Sequence, residues 1–523
     1  MLNADTGELQ ELKQLMEGPE SEQWINGLCT EWGRITNGYN GSKDTNTVKF
    51  IHPSQIPKHK RATYARVVAD YRPQKADPYR VRITVGGDRI EYAGDCYTPS
   101  ADLTTAKLLL NSVVSTDGAK FLGIDIKDFY LNTVLDDYQY MRIPAAYVPQ
   151  AIRDQYKLHN LIINGYIYLE IQKGMYGLPQ SGKLANDELT NHLIKHGYYQ
   201  ARHTPGLFLH ETRSTQFSLI VDDFGVLYTN ENDAQHLIDT LQAKYEITID
   251  WKGEKFLGID LQWDYDERTV TLSIPGYCER AIARFQHSPS NLHESTPSPW
   301  QPPTYGKNEQ DIEEEPLEPP DESDIKRLQQ VTGTFLYYAR AIDTTMIHAV
   351  SSLSTSKSEG KAAIQRRIDQ LLDYAHANPN ASITFRKSDM ILHVHSDASF
   401  NSEPKGRSRY GGYHYLSTKD DDPPLNAPIL AESKIIDVVV SSAQESETAG
   451  AFNTAKSAVP IRTTLEEMGF KQPATLITTD NKTSVGIING TMRQKKSKNR
   501  VQQGQFRIRS GCNNCLTLST TYL

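Results

Sequence analysis

A chain of 523 residues is long enough for two to four domains, and 38% hydrophobic residues with 9% aromatics suit packed cores rather than disorder. A formal net charge of −8 excludes a uniformly basic nucleic-acid binder, but the charge is uneven: residues 309–324 hold nine acidic side chains and no basic one. Residues 58–89 hold nine Lys or Arg against three Asp, and residues 491–510 hold seven with no acid, so local phosphate contact and a merely solvated face are both open for each basic stretch.

In chain order, Met1-Leu-Asn-Ala-Asp5 lacks the basic start and apolar core of a secretion signal, and no run approaches 18 consecutive apolar residues. The expectation is an intracellular protein with no membrane span. Residues 1–60 read as an N-terminal extension. A helix is predicted over 102–114, then a short apolar strand with Asp125 at its end. Hairpins follow over 160–172, turning at Asn164-Gly165, and over 217–228, turning at Asp222-Asp223, with a helix over 184–196 between them. Antiparallel strands flanked by helices make an α+β body. Taken alone, Asp222-Asp223 is an ordinary turn and Asp125 a turn cap. Taken together, three carboxylates from two strands suit a pair of Mg²⁺ ions serving an in-line phosphoryl displacement.

Seven prolines and dense acid mark residues 295–324 as a linker. Beyond it, 325–388 read as a helical connection, with helices over 325–340 (apolar face Ile325, Leu328, Val331, Phe335) and 362–377. The segment 389–523 opens with Met390-Ile-Leu-His-Val-His-Ser-Asp397, a strand ending in Asp397. A helix carrying Glu447 and a strand ending in Asp480 follow. His393, His395 and His414 read as structural. Five cysteines, Cys29, Cys96, Cys278, Cys512 and Cys515, suit a reducing compartment, and Cys512-Asn-Asn-Cys515 lacks a second metal-binding pair nearby.

In order along the chain, Asp125-Ile-Lys-Asp-Phe-Tyr-Leu-Asn132, Gly174-Met-Tyr-Gly-Leu-Pro-Gln180 and Val221-Asp-Asp-Phe-Gly225 resemble the reverse transcriptases of copia-type retrotransposons. The resemblance extends from Tyr64-Ala-Arg66 through Thr84-Val-Gly-Gly-Asp-Arg89 and Tyr97-Thr-Pro-Ser-Ala-Asp102 to Lys255-Phe-Leu-Gly-Ile-Asp260 and Leu272-Ser-Ile-Pro-Gly-Tyr277. It implies a right-hand polymerase of fingers, palm and thumb over 61–294, with the thumb at about 225–289. A helical connection and an α/β RNase H-like domain would follow. The implied activity is RNA-directed DNA synthesis, with Mg²⁺ or Mn²⁺ as cofactor. RNA template, DNA primer, dNTPs and RNA–DNA hybrid are the implied partners, beside other products of a polyprotein.

The same resemblance assigns Asp125, Asp222 and Asp223 to the catalytic metals and Tyr130 to a ring beneath the sugar, where bulk rejects a 2′-hydroxyl. It sets Gln180 against the incoming nucleotide and Arg80 and Arg82 at the triphosphate. Asp397, Glu447 and Asp480 fall where an RNase H domain holds its metals. Two departures stand out. Ile220 occupies a place where the family keeps an aromatic residue. No acidic residue follows Asp480, where the family carries a fourth carboxylate, and the tail 510–523 departs from the family's ending. RNase H activity is therefore in doubt, and a non-catalytic relic that at most binds template–primer is the alternative reading. The basic run 495–498 suits a nuclear address or a phosphate contact, leaving a cytoplasmic particle or the nucleus as the location.

Overall fold

The computed structural model describes residues 10–41, 44–72, 77–290, 294–299, 318–403, 406–420, 422–489, 491 and 516–520. Most of the proline-rich linker, the basic run 495–498 and the Cys512/Cys515 pair lie outside the described residues. No helix among those described is long and apolar enough to cross a membrane.

Helices α1 (Leu12–Glu17) and α2 (Ser21–Ile35) precede strands β1 (Val48–Ile51), β2 (Thr63–Tyr71) and β3 (Tyr79–Val85). Then come α3 (Leu103–Ser115), β4 (Lys120–Ile126), β5 (Val134–Pro144), α4 (Gln150–Gln155), β6 (Tyr166–Lys173) and α5 (Ser181–Ile194). The first sheet has the order β1-β6-β5-β2-β3. Period-two alternation buries Val81, Ile83 and Val85 of β3 and leaves Arg80, Arg82 and Thr84 together on the opposite face. Residues 10–41 are part of this unit, because Trp24, Leu28 and Trp32 of α2 are fully buried in one core with Val81, Ile83 and Leu169. The fit is close: a Cβ on Gly27 would stand 2.2 Å from Tyr79 O.

The second sheet adds β7 (Tyr198–Gln200), β8 (Leu207–His210), β9 (Gln216–Ile220), β10 (Asp223–Tyr228) and β11 (Ile247–Asp250), in the order β11-β4-β10-β9-β8-β7. Leu189 and Leu193 of α5, with Leu237 and Leu241 of α6 (Glu231–Gln242), pack on one face of it against Ile124, Phe217 and Phe224. Helix α3 covers the other face. Ten of its thirteen residues are buried, Lys107 among them, as befits a helix enclosed on every side.

A third sheet, β12 (Lys255–Phe256), β13 (Ile259–Asp264), β14 (Thr269–Ser273) and β15 (Ser382–Arg386), is followed in chain order by a fourth. Helices α7 (Tyr277–Arg284), α8 (Glu322–Ala341), α9 (Ile347–Ser354) and α10 (Lys361–Ala377) lie between β14 and β15 in the chain. The fourth sheet contains β16 (Ile391–Glu403), β17 (Arg407–Ser417), β18 (Pro428–Ile435), β19 (Thr475–Thr479) and β20 (Leu516–Thr520), in the order β18-β17-β16-β19-β20. Helix α11 (Ala443–Glu467) joins β18 to β19, and α12 (Lys482–Ile488) follows β19.

Several sequence expectations shift. The 160–172 hairpin reduces to β6 with one bridge, Ile163 to Tyr166, across Asn164 and Gly165, because Leu158–Leu161 folds instead into a 3-10 turn that buries Leu158. Residues 225–250, expected in a thumb, continue the second sheet through β10, α6 and β11, since β11 pairs with β4. The helical stretch 325–388 ends in a strand, β15, which pairs with β14. The strand expected to stop at Asp397 runs on to Glu403. The tail that departs from the family's ending supplies β20, parallel to β19.

One apolar core joins α3, α8, α10 and α11, so the fourth sheet is built onto the second. Glu467 seals the junction: its carboxylate accepts from His203 N at 2.8 Å and from Thr204 Oγ1 at 2.6 Å. Truncating Phe335, fully buried in this core, would cost about 3–5 kcal/mol.

Candidate active sites: two carboxylate centres

The first centre is built by a hairpin and its neighbouring strand. Ile220 pairs with Asp223, leaving Val221 and Asp222 as a two-residue loop, one position earlier than the sequence pattern suggests. Val221 sits at φ 61, a left-handed conformation that strains a β-branched residue by about 1–3 kcal/mol. Across β4, Asp223 stands opposite Asp125, and Ile126 N donates to Asp222 O at 3.1 Å, tying the loop to the strand.

Burial, then the neighbouring Asp125, raises the pKa of Asp222, while Arg82 and Arg80 oppose the rise. Burial, then Asp222 and Asp125, raises Asp223 to about 6. A cluster of carboxylates held above their ordinary pKa is the environment a divalent cation relieves. The three are nevertheless not gathered onto one point, for the second centre is the one trio among the described residues whose ligand oxygens lie within 4.8 Å of one another.

Around this centre, Tyr130 lies on the 3-10 turn Phe129–Asn132, half-buried, its ring 5.0 Å from that of Tyr176. Gln180, at the N-cap of α5, is only 3% exposed, and its Oε1 finds no hydrogen-bond partner among the described residues. The Arg82 guanidinium lies 4.4 Å from the Tyr176 ring centroid, and its Nε also lacks a partner. Burial, then Arg82, Arg72 and Arg34, lowers the pKa of Arg80. Arg34 is matched by Glu31 and Asp128, and Arg72 by Asp70, which leaves Arg80 and Arg82 without an ion pair among the described residues, an arrangement suited to a polyanion.

Sequence reading missed two contributors. Tyr176 lies inside the quoted 174–180 motif, which pointed only to Gln180. Arg34 belongs to no motif. Its guanidinium binds Glu31 through Nε at 2.8 Å and Nη2 at 2.9 Å, and its Nη1 binds Asp128, 94 residues away. Glu31, 4% exposed, also accepts from Ile83 N at 3.0 Å. Helix α2 thus fixes both β3, which carries Arg80 and Arg82, and the left-handed Asp128 (φ 53) that turns the chain from Asp125 to Tyr130.

The second centre draws on a strand, a helix and a strand end. The parallel register pairs His395 with Thr478, and two residues further along it sets Asp397 level with Asp480. Glu447 reaches them from α11, which presses on β16 so closely that a Cβ on Gly450 would stand 3.0 Å from Ala398 Cβ. Burial, then Asp397 and Asp480, raises Glu447 to about 7, and Thr479 Oγ1 donates to it at 3.5 Å. His393 and His414 bond to the carbonyls of Thr418 and Thr454, and His395 to the Tyr415 hydroxyl, so each histidine is engaged outside the trio.

Residues 50–297 match the family described as reverse transcriptase (RNA-dependent DNA polymerase). The chain is 19% identical over 509 residues to the retrovirus-related Pol polyprotein from transposon TNT 1-94 of Nicotiana tabacum, covering 95% of itself and 36% of that protein. It is 24% identical over 320 residues to the putative transposon Ty5-1 protein of Saccharomyces cerevisiae (61% of this chain, 94% of that one). It is 22% identical over 389 residues to the transposon Ty1-MR1 Gag-Pol polyprotein of the same yeast (70% and 21%). A solved foamy viral protease-reverse transcriptase in complex with double-stranded DNA aligns with TM-score 0.47 at 12% identity, over 89% of this chain and 66% of that one.

Proposed function

Because residues 50–297 match the reverse transcriptase family and the chain is similar to transposon proteins along much of its length, we propose that the protein is a copia-type reverse transcriptase that extends a primer with dNTPs along an RNA template. The observation that carries this reading is Asp223 opposite Asp125, with Asp222 on the β9–β10 loop beside them and Arg80 and Arg82 within electrostatic reach.

The raised pKa values of Asp222 and Asp223 and the pure carboxylate donor set fit hard divalent cations, Mg²⁺ or Mn²⁺, held by Asp125, Asp222 and Asp223. Bound there, such ions neutralise phosphate charge and acidify the primer 3′-hydroxyl. The chain's own residues do the rest. Arg80 and Arg82 draw in the triphosphate and hold its non-reacting oxygens. Gln180 offers a buried acceptor, already desolvated, to a donor on the incoming nucleotide. Tyr130 closes the space beside the 2′ position and so favours deoxynucleotides. The strained loop presents Asp222, and β10 presents Asp223, at fixed places, so catalysis rests on positioning.

For the second centre we propose that Asp397, Glu447 and Asp480 hold a divalent cation and engage RNA–DNA hybrid. Residues 481–523 hold no carboxylate side chain to serve as a fourth ligand, so hydrolysis at this centre is no part of the proposal. The alternative for the whole chain, a relic that binds template–primer without catalysis, draws on that same missing group. Incorporation of dTTP on poly(rA)/oligo(dT) in Mg²⁺ tests the reading: label in product supports it, and template–primer binding without incorporation supports the relic.

A further inference from the structure

Tyr176, on the loop between β6 and α5, has no part in the function as stated so far. Its backbone is clamped. Val85 N donates to Tyr176 O at 2.8 Å, Met175 N donates to Ser181 Oγ at 2.8 Å, and that hydroxyl donates to Met175 O at 3.0 Å. A Cβ on Gly177 (φ +97) would stand 2.0 Å from Val85 O, and one on Gly174 2.5 Å from Tyr130 O, so the loop is pressed between β3 and the Tyr130 turn and only glycine fits there.

With its backbone fixed, the Tyr176 ring meets two neighbours. The Arg82 guanidinium lies over it, 4.4 Å from the centroid. The Tyr130 ring meets it edge-on, centroids 5.0 Å apart and planes at 76°. Arg82 needs such a support, since its buried Nε has no partner and Arg80 repels it. Tyr130 needs one too: it is half-buried on a short turn, and its other ring neighbour is Phe129, 5.6 Å away.

We propose that Tyr176 is a positioning residue that supports both ends of the nucleotide pocket, holding Arg82 toward the triphosphate by a cation–π contact and bracing Tyr130 as the gate beside the sugar. Selection of deoxy- over ribonucleotides is then a property of the Tyr130–Tyr176 pair. This rests on the polymerase reading above.

The test compares steady-state incorporation of dTTP and rUTP on poly(rA)/oligo(dT) by wild type and by Tyr176→Ala, Tyr176→Leu, Tyr176→Phe, Arg82→Ala and Arg82→Ala/Tyr176→Ala. Alanine is expected to raise KM for dTTP about tenfold and to raise the rUTP:dTTP efficiency ratio about tenfold, with a smaller change in kcat. Leucine, which keeps bulk without the π face, does the same should alanine fail to fold, and phenylalanine restores both values. Arg82→Ala raises KM but spares the ratio, and the double variant has the KM of Arg82→Ala alone. Folded alanine and leucine variants with wild-type KM and ratio would overturn this inference and leave the polymerase reading intact. A wild type that incorporates nothing would overturn both.

Discussion

At the first centre, Asp125, Asp222 and Asp223 come from adjoining antiparallel strands and the loop between two of them. At the second, Asp397, Glu447 and Asp480 come from a strand, a helix and the end of a parallel strand. The second gathers its oxygens within 4.8 Å, whereas the first does not. The first instead has Arg80, Arg82 and Tyr130 within electrostatic reach. The difference follows from backbone geometry. Consecutive residues at a turn direct their Cβ atoms apart, so Asp222 and Asp223 do not converge alone, while three separate elements can all aim at one point. The second centre thus presents three converging carboxylates to one point, which the first does not.

The largest expected effect outside catalysis is at Arg34. Replacing it with alanine strands Glu31, which is buried, and frees the Asp128 turn. We predict a loss of about 3 kcal/mol of stability in denaturant melts, with dTTP incorporation falling while the second centre keeps its metal response. Wild-type stability would mean that α2 is not needed to build the first centre.

Next comes the junction between the centres. Lys107 Nζ donates to Arg340 O at 2.7 Å, and burial depresses its pKa from 10.5 to about 7. Between those values the unfolded chain binds a proton that the folded chain does not, so stability rises with pH across this window and the penalty is complete below about pH 7. Lys107→Met should be more stable than wild type by about 2 kcal/mol at pH 7, allowing for the lost hydrogen bond, and the advantage should vanish by about pH 10. An advantage that does not change with pH would show that Lys107 folds in its charged form.

The third test addresses metal directly. Without nucleic acid, Mn²⁺ should stabilise the wild type by about 1–2 kcal/mol through the second centre. Asp397→Asn/Glu447→Gln should abolish that gain in thermal melts, and Asp222→Asn/Asp223→Asn should keep it. The reverse pattern would invert the comparison. Smallest is Val221→Gly, expected to gain about 0.5 kcal/mol as released strain outweighs the glycine's added unfolded-state entropy. A loss would argue that Val221 packs better than its backbone suggests.

Much of this was legible in the sequence because its signals were local. The apolar runs beside Asp125 and Asp222-Asp223 marked the strands that carry or flank them, and Leu328, Val331 and Phe335 at helical spacing marked the buried face of α8. The thumb expectation failed over 225–250 because nothing local tells a strand of one sheet from a strand of the next. β11 is placed by pairing with β4, more than a hundred residues earlier. Arg34 was illegible for the same reason. Tyr176 was visible within its motif, but its role depends on rings and cations that meet only in three dimensions.

The most direct test of the central claim is Mg²⁺-dependent dTTP incorporation on poly(rA)/oligo(dT) by wild type beside Asp222→Asn/Asp223→Asn, with folding checked by circular dichroism. The account predicts incorporation by wild type and a fall on the order of 10³-fold or more in a variant that still folds and binds template–primer. Equal incorporation by the two, or none by a folded wild type, would contradict it.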